Sequence, residues 1–352
     1  MLVRSGWVCE MVFWGSMEIE MPSSSVKVSV IIPNWNGDIW LDGCLDALES
    51  QDYRDFEVIV VDDSSTDGSV DHLKERSPPV QLLQFAEHLG FARAVNAGIK
   101  ASSGEYVVLL NNDTLPSTSF IRDLVAAMDT MPSDVGSLAS RMLSMDDSML
   151  IDDAGDIFTW YGHALKRGHG RPAVEFEEND EILSSCAGAA LYRREFLDVS
   201  GGFDERFVSY LEDIDLGLRG RLLGYRCVFV ANATVMHKGH GSNLPTGDYV
   251  RFMTRNRLMV LGKNIPFTLL VKHFHHLLIG QFALFIQYRR PFDSIMGYLS
   301  FLRQIPHVLR ERRRILSLSR LSVQEIDQLL DRSPDGVSLP RWILCRLGAK
   351  DI

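Results

Sequence analysis

Residues 26–36 read VKVSVIIPNWN, an apolar, β-branched run that stops at a proline and passes into polar positions. Such a run predicts a buried strand followed by a polar loop. Strands that alternate with helices predict an α/β fold with a mostly parallel central sheet and helices on both faces. The strand pattern recurs at residues 56–61, 80–84 and 106–110, and helical spacing lies between the strands at residues 39–50 and 91–101.

Three loops that follow these strands are rich in amide and carboxylate side chains: residues 33–36, 62–68 and 111–114. Ligands of parallel α/β sheets bind at the carboxyl ends of the strands. We therefore expect the three loops to meet at one edge of the sheet and to form a ligand site. The candidate contacts are Pro33, Asn34, Asn36, Asp62, Asp63 and Asn112.

The acidic residues of these loops suit the binding of a nucleotide diphosphate. Asp62 or Asp63 can accept hydrogen bonds from a pyrimidine imide or from ribose hydroxyls. Asp113, with Asn111 two positions earlier, can bind Mg²⁺ or Mn²⁺, which prefer oxygen ligands and bridge phosphates. Both stretches are also typical of capped turns, so a purely structural role stays open for each.

A third acidic group, Glu212-Asp213 with Asp215, lies at the predicted start of a helix. Acids at a helix N-terminus stabilise the helix dipole, but three within four residues exceed that need. Mutual repulsion would raise the pKa of at least one carboxyl, which suits a general base. His237 follows a predicted pair of short strands at residues 227–230 and 234–237, and it could complete a metal shell with Asp113 or be structural.

Four motifs in this order, over residues 26–266, resemble the family-2 inverting glycosyltransferases of the GT-A fold. The resemblance implies transfer of a sugar from a nucleotide-sugar donor to an acceptor, with inversion of the anomeric centre. The motifs are residues 28–36, VVDDSSTDGS at residues 60–69, NNDT at residues 111–114, and EDIDL at residues 212–216 with Arg219.

The resemblance implies roles for individual residues. Asp62 and Asp63 match the pair that contacts base and ribose, and Pro33 matches a position whose backbone lines the base pocket. The metal-binding acid corresponds to Asp113, the catalytic base to Asp213, and a metal-ligand histidine of some members to His237. Two positions depart from the family pattern: Asn111 replaces the first Asp of the DxD motif, and His88 stands where many relatives have Asn.

The donor and acceptor follow from a narrower resemblance. The run GGFDE at residues 201–205, the EDxDL run and a basic tail resemble bacterial rhamnosyltransferase-like members that build cell-surface polysaccharide. This resemblance implies a UDP- or dTDP-sugar donor, with dTDP-rhamnose as one candidate, and a glycan or lipid-linked acceptor.

Composition constrains the class and the compartment. The formal net charge of −10 argues against general nucleic-acid binding. Five scattered cysteines without a CxxC pair suggest a reducing compartment. The sequence contains no run of 18 uncharged apolar residues, so it predicts no transmembrane helix. We expect a cytoplasmic protein with a poorly ordered leader at residues 1–25 and a catalytic domain at residues 26–265. The domain would divide into a nucleotide-binding half, 26–115, and an acceptor-side half, 116–265.

Residues 266–352 are expected to form a helical, basic C-terminal region. Apolar residues keep helical spacing over residues 267–285, and cations outnumber acids over residues 266–320. This pattern is compatible with peripheral contact with the inner face of the cell membrane and equally with packing on the protein body or in a homodimer. The cations are Lys272, Arg289, Arg290, Arg303, Arg310, Arg312, Arg313, Arg314 and Arg320, against Asp293 and Glu311.

Two other functions are compatible with parts of the pattern. A sugar nucleotidyltransferase would need a glycine-rich phosphate loop after the first strand, and residues 33–36 do not supply one. A catalytically degenerate scaffold that binds sugar or lipid would have lost its site acids, whereas Asp113 and Asp213 are both present.

Overall fold

The structure is a computed structural model, and it describes residues 26–71, 73, 76, 80–239 and 245–330. The predicted leader and residues 331–352 of the C-terminal region lie outside the described residues. The strands are β1 (Val28–Asn34), β2 (Phe56–Asp62), β3 (Gln81–Gln84), β4 (Tyr106–Leu110), β5 (Thr114–Pro116), β6 (Val135–Ser144), β7 (Ile151–Asp153), β8 (Asp156–Phe158), β9 (Ala164–Lys166), β10 (Asp180–Ile182), β11 (Ala189–Arg193) and β12 (Arg226–His237).

The helices cover both faces of the sheet and form the C-terminal part of the described chain. They are α1 (Leu41–Glu49), α2 (Phe91–Ala101), α3 (Phe120–Thr130), α4 (Arg194–Ser200), α5 (Glu212–Leu222), α6 (Thr246–Asn264), α7 (Phe267–Lys272), α8 (Phe274–Tyr288), α9 (Pro291–Ser317) and α10 (Val323–Leu329). In the described part of the chain, no helix is long and apolar enough to cross a membrane.

The first half of the sheet is parallel, in the order β3-β2-β1-β4. Side chains alternate between the two faces of a strand, so neighbours in β1 enter different cores. Val30 and Ile32 pack with α1 and α3, whereas Ile31 packs with α2. Because both faces are covered, β4 is apolar throughout and buried, and β1 is apolar except for the buried Ser29 and Asn34.

The second half of the sheet contains both parallel and antiparallel pairs. The predicted parallel pairing is therefore uninterrupted only in the first half. β11 lies antiparallel between β4 and β6, while β12 is parallel to β6 and antiparallel to β5 and β10. The two short strands predicted at residues 227–230 and 234–237 are one strand, β12. An irregularity between Val230 and Thr234 breaks its pairing with β6 and explains the two-strand pattern in the sequence.

The C-terminal helices are fixed to the catalytic body by a buried charge network. Lys263 on α6 donates to Asp204 (2.5 Å) and to Asp215 on α5 (2.8 Å). His307 on α9 reaches the same oxygen of Asp204 at 2.8 Å, and Arg219 pairs with Asp215 at 2.9 Å. Three helices and the turn at residues 201–204 therefore share one set of ion pairs, and α9 packs along α6.

Candidate active site

A cleft of about 390 Å³ opens at the carboxyl ends of β1 and β4. The loop before α5, strand β9 and helix α6 also contribute lining residues. Of the residues predicted from the sequence, eight line it: Pro33, Asn34, Asp63, Asn112, Asp113, Glu212, Asp213 and His237. The three polar loops thus meet at one edge of the sheet, as their position after parallel strands predicts.

Asn34 holds the first two loops together from a buried position. Its amide N–H₂ donates to Asp62 (3.0 Å) and Ser69 (2.9 Å), and its oxygen accepts from Asn112 at 2.8 Å. Asp62 also accepts from the backbone N–H of Ser65. Asp62 therefore lies behind the cleft wall and shapes the loop.

Asn36 joins the same two loops from the other end. It adopts a left-handed conformation with φ of 51°, its side-chain oxygen accepts from the Thr66 N–H at 2.8 Å, and its own N–H donates to Ser65. The conformation is one that Asn tolerates better than most residues. Asn36, like Asp62, supports the wall from outside.

Asp63 faces the cleft and organises the segment before α2. Its two carboxylate oxygens accept from the backbone N–H groups of Leu89 (2.7 Å) and Gly90 (2.8 Å). His88, one of the departures from the family pattern, lies 2.9 Å from Asp63 and packs its ring 4.3 Å from the Trp35 ring. Trp35 and His88 form an aromatic platform beside the Asp63 carboxylate.

Asp113 and His237 are brought together by strand pairing. β5 and β12 pair so that His237 lies opposite Thr114, the residue after Asp113. The imidazole Nε2 lies 3.3 Å from a carboxylate oxygen of Asp113, although 123 residues separate the two in the sequence. Both side chains are buried and line the cleft.

The other ring nitrogen of His237 contacts Asp152, which the sequence analysis did not single out. Nδ1 lies 2.7 Å from Asp152, and Asp152 also accepts from Lys166 at 2.9 Å. Burial alone would lower the pKa of His237, but hydrogen bonds with Asp113 and Asp152 raise this pKa to about 9. The carboxylate of Asp152 fixes the ring orientation that directs Nε2 at Asp113.

The donor set at Asp113 and His237 fits a divalent cation only in part. One carboxylate oxygen and one imidazole nitrogen converge on the same point of the cleft, and a carboxylate holds the back of the imidazole. Among the described residues, no group of three or more His, Cys, Asp or Glu is arranged around a common point. A metal here would need further oxygen ligands from a bound diphosphate and water, as is usual for Mg²⁺.

Glu212 and Asp213 open helix α5 and also line the cleft. Asp213 is half-buried, and its carboxylate accepts from the N–H groups of Ile214 (2.8 Å) and Ala187 (3.4 Å). Burial raises the pKa of Asp213 against these hydrogen bonds. Glu212 is buried more deeply, and burial followed by the charge of Asp213 raises its pKa well above the usual range.

The loop that presents these two acids is strained. Val208, Tyr210 and Leu211 all have φ near +70°, a region that side chains with a Cβ rarely adopt. Asn256 on α6 holds this backbone by donating its amide N–H₂ to the carbonyls of Phe207 (3.0 Å), Ser209 (2.9 Å) and Tyr210 (2.8 Å). Strain at a functional loop persists only where surrounding contacts enforce it, and Asn256 supplies those contacts.

Asp215 does not line the cleft with Glu212 and Asp213. The helix turns its side chain away from the cleft, where it is fully buried and bound by Arg219, Lys263 and Asn264. The expected repulsion still acts on Glu212, since burial, then the charge of Asp213 and finally the charge of Asp215 raise the pKa of Glu212. The charge of Asp215 is compensated by cations, and Asp215 fastens α5 to α6.

The acids that do crowd Asp213 come from residues that the sequence analysis missed. Asp153 and Asp156, on β7 and β8, line the cleft, and burial raises the pKa of Asp153 to about 7 and that of Asp156 well above its usual range. Lys166 on β9 lies among them. The sequence signal was weak: three carboxylates at residues 152–156 and one lysine in a segment predicted only to carry loops.

A mixed sheet whose parallel strands end at a cleft lined by amides, carboxylates and two histidines is the architecture of the GT-A glycosyltransferases. Comparison with solved structures supports this fold. GalNAc-T7, in a crystal structure with UDP, GalNAc and Mn²⁺, superposes with a TM-score of 0.53 at 15% identity over 69% of this chain and 51% of that chain. Staphylococcus aureus TarS gives 0.53 at 17% identity over 86% of this chain and 55% of that chain.

The chain belongs to Glycosyl transferase family 2, whose family model matches residues 29–201. It is 31% identical to the glycosyltransferase GlyG of Streptococcus pneumoniae over 247 residues, 68% of this chain and 80% of that protein. An N-acetylglucosaminyl-diphospho-decaprenol L-rhamnosyltransferase of Mycobacterium tuberculosis is 28% identical over 57% of this chain and 73% of its own. The O-antigen biosynthesis protein RfbC of Myxococcus xanthus is 29% identical over 63% of this chain, but only 18% of RfbC is matched.

Proposed function

We propose that this glycosyltransferase moves a sugar from a nucleotide-sugar donor to an acceptor hydroxyl in one displacement, with inversion at the anomeric carbon. The observation that carries the proposal is that Asp213, Asp113 and His237 line the same cleft. We assign the base and the diphosphate site to opposite sides of the bound sugar, because attack from the face opposite the leaving group requires that arrangement.

In the proposed reaction, Asp213 accepts the proton of the acceptor hydroxyl. The hydroxyl oxygen forms the new bond to the anomeric carbon, while the bond from that carbon to the diphosphate breaks and the nucleoside diphosphate leaves. The raised pKa of Asp213 brings its proton affinity closer to neutral pH, where a general base works best. Burial raises the pKa of the neighbouring Glu212 well above the usual range, and this residue is assigned the role of a neutral neighbour.

The donor is assigned to the cleft residues in the loops that follow β1, β2 and β4. Asp63 with the platform of Trp35 and His88 is assigned to the base and ribose, together with Pro33, Asn34 and Asn112. Asp62 and Asn36 act by shaping the two loops. Asp113 and His237 would hold Mg²⁺ or Mn²⁺, and that ion would neutralise negative charge on the diphosphate.

The substrate class rests on the relatives. Two of them are named for an O-antigen and for transfer of L-rhamnose to a lipid diphosphate. We infer a UDP- or dTDP-sugar donor, with dTDP-rhamnose to be tried first, and a lipid-linked glycan acceptor at the inner face of the cell membrane. The product would enter cell-surface polysaccharide.

The test combines a donor panel with two variants. Wild-type protein is mixed with UDP, dTDP, GDP and their sugars, with and without Mn²⁺, and binding is measured by calorimetry. Turnover is then measured with the donor that binds. We expect Asp213→Asn to lower turnover by about 10²–10⁴-fold with donor affinity unchanged. Asp113→Ala should lose the metal-dependent part of nucleotide binding.

The exposed Asp198 supplies the matched control, since Asp198→Asn makes the same chemical change away from the cleft. Its turnover should equal that of the wild type. Near-normal turnover of Asp213→Asn would refute the assignment of the base. Failure of every nucleotide to bind would support the degenerate scaffold, and formation of a nucleotide sugar from a sugar phosphate and a nucleoside triphosphate would support a nucleotidyltransferase.

A further inference from the structure

Helices α7, α8 and α9 expose large apolar side chains along one continuous stretch of the chain. Phe267 on α7, Phe282 on α8 and Phe292 on α9 are 70%, 68% and 70% exposed. We name the whole set the apolar face; it consists of Phe267, Val271, Phe274, Leu278, Phe282, Ile286, Phe292, Ile295, Leu299 and Leu302. Apolar patches of this extent on a soluble surface mark an interaction site.

The apolar face is fixed in place by the buried sides of the same helices. On α8, Phe274, Leu278, Phe282 and Ile286 follow at intervals of four and point outward. The other side of the helix carries Gly280, where a Cβ would come within 2.0 Å of the Tyr161 carbonyl oxygen. Close backbone packing therefore sets the rotation of α8 and leaves its phenylalanines turned away from the protein.

The same pattern holds α9. Gly297 lies against α6, since a Cβ there would meet the Thr254 side chain at 2.7 Å, and Val308 is buried on the same side. Phe292, Ile295 and Leu299 lie on the outer side. Both helices of the hairpin thus present apolar side chains to the surroundings because their inner sides are occupied.

The charges around the apolar face decide what can cover it. Helix α8 contains no Asp, Glu, Lys or Arg, whereas exposed cations lie at its ends and along α9, in a protein of net charge −10. A second copy of the chain carries the same cations on this face, so the two faces are not complementary in charge. Anionic phospholipid headgroups attract these cations. The exposed cations are Lys272, Arg289, Arg290, Arg303, Arg310, Arg313 and Arg314.

The length of α8 decides how it would meet a bilayer. Its 15 residues extend about 22 Å, less than the roughly 30 Å of a hydrocarbon core. An amphipathic helix of this kind lies in the headgroup region with its apolar side buried among the acyl chains. Aromatic side chains on one side and arginines at the rim are the composition that such helices have.

The apolar face is joined to the cleft by three tyrosines whose rings pack edge to face. Tyr210, in the strained loop before Glu212, has its ring 5.0 Å from the ring of Tyr249 on α6, and both line the cleft. Tyr249 lies 6.3 Å from Tyr288 at the end of α8, two residues after Ile286. The apolar face therefore begins beside the wall that carries the proposed base.

We propose that the apolar face docks on the surface of an anionic phospholipid bilayer and holds the mouth of the cleft at that surface. Docking itself does not depend on the proposed chemistry. Only its consequence, access to a lipid-linked acceptor hydroxyl, rests on the proposed function.

The test is co-sedimentation of the full-length protein with vesicles of phosphatidylcholine alone or with about a third phosphatidylglycerol. We expect the protein to bind the anionic vesicles about tenfold more tightly and to be released by salt at about 0.5 M. The double substitution Phe282→Ser with Phe292→Ser should lower this affinity by about tenfold or more. Val174→Ser, at an exposed apolar residue elsewhere on the surface, should leave it unchanged.

Two outcomes would overturn the proposal. Wild-type protein that stays in the supernatant with both kinds of vesicle would exclude docking. A concentration-dependent dimer in sedimentation velocity that the double serine substitution abolishes would assign the apolar face to a second copy instead. Nucleotide binding by the double variant, measured in parallel, separates this result from the proposed function. Loss of vesicle binding with normal nucleotide affinity would support docking alone.

Discussion

In the proposed function, the cleft residues assigned to the donor form a donor wall, and Glu212, Asp213, Asp153 and Asp156 form a base wall. The carboxylates of the two walls are in opposite electrostatic situations.

At the donor wall, Asp63 and, behind it, Asp62 each accept hydrogen bonds from backbone or amide N–H groups. On the base wall, burial raises the pKa of Glu212, Asp153 and Asp156, and one oxygen of Glu212 has no hydrogen-bond donor among the described residues. The carboxylates of the donor wall have their hydrogen-bond donors within the protein, whereas the raised pKa values of the base wall give its carboxylates a high affinity for protons.

The largest stability effect is expected on the donor wall, at Asp63. Asp63→Ala leaves the buried N–H groups of Leu89 and Gly90 without an acceptor, and hydrogen bonds to a charged group contribute about 1.5–3 kcal/mol each. We expect the free energy of unfolding to fall by about 3 kcal/mol or more in urea denaturation. Asp63→Asn, which keeps one acceptor oxygen, should lose about half as much. A loss below about 1 kcal/mol in the alanine variant would show that the donor wall is not held this way.

A smaller stability effect with a larger kinetic effect is expected at Asn256. Asn256→Ala removes the donor of three carbonyls in the strained loop, which should lower stability by about 2 kcal/mol. Relaxation of the loop should misplace Asp213, so kcat should fall by about tenfold or more while donor affinity is unchanged. Steady-state kinetics and calorimetry measure the two.

Asn256→Asp keeps the size of the side chain but replaces the amide N–H₂, which donates to the carbonyls, by a carboxylate oxygen, which cannot donate. It should be less stable than the alanine variant. If both variants keep the kcat of the wild type, the loop holds its conformation without Asn256.

Glu212→Gln should stabilise the protein, which distinguishes the base wall from the donor wall. The folded pKa of Glu212 is raised, so at a pH above the unfolded value of about 4.3 the native state binds a proton that the unfolded state does not. Wild-type stability therefore falls with rising pH through this group, by up to about 1.4 kcal/mol for each pH unit. The glutamine variant lacks this loss.

The advantage of the glutamine variant should be small near pH 4, should grow as the pH rises, and should level off above the folded pKa of Glu212. Melting temperatures of both proteins across the pH range measure it. A constant difference at all pH values would mean that Glu212 is ionised in the native state.

The smallest effect is expected at Lys166, whose charge lowers the pKa of Asp213. Lys166→Met removes that cation, so the pKa of Asp213 should rise and the proposed base should lose its charge at a higher pH. The acid limb of the kcat/KM profile should move upward by about one pH unit or less. Lys100→Met, at an exposed lysine on α2, should leave the profile in place. A shift in the opposite direction would contradict the role of Lys166.

The donor wall could be predicted from local sequence because it is made by local sequence. The strands at residues 106–110 and 56–61 and the helix at residues 91–101 were predicted within a residue of their observed bounds. Each polar loop follows its strand directly, so finding the strand ends also finds the loops. Asp62 and Asn36 show the limit: position in a loop did not reveal which side of the wall each side chain occupies.

The base wall depends on contacts between distant segments, which no local pattern reveals. Asp153, Asp156 and Lys166 reach the cleft from short strands, and Asn256 reaches the strained loop from α6, which the sequence analysis did not assign. Asp215 was grouped with Asp213 because the two are neighbours in sequence. Helical rotation separates them, and cations contributed by α5 and α6 compensate the charge of Asp215.

The pairing that sets His237 opposite Thr114 also makes the composition of the cleft depend on the register of β12. Successive side chains of a strand point to opposite faces, so a slip of β12 by one residue would turn His237 out of the cleft and put Met236 or Lys238 in its place. Neither a thioether nor an ammonium group could replace the imidazole between Asp113 and Asp152. Under the proposed function, a chain folded in the wrong register would lack the diphosphate site, and only molecules with the native alignment would be active.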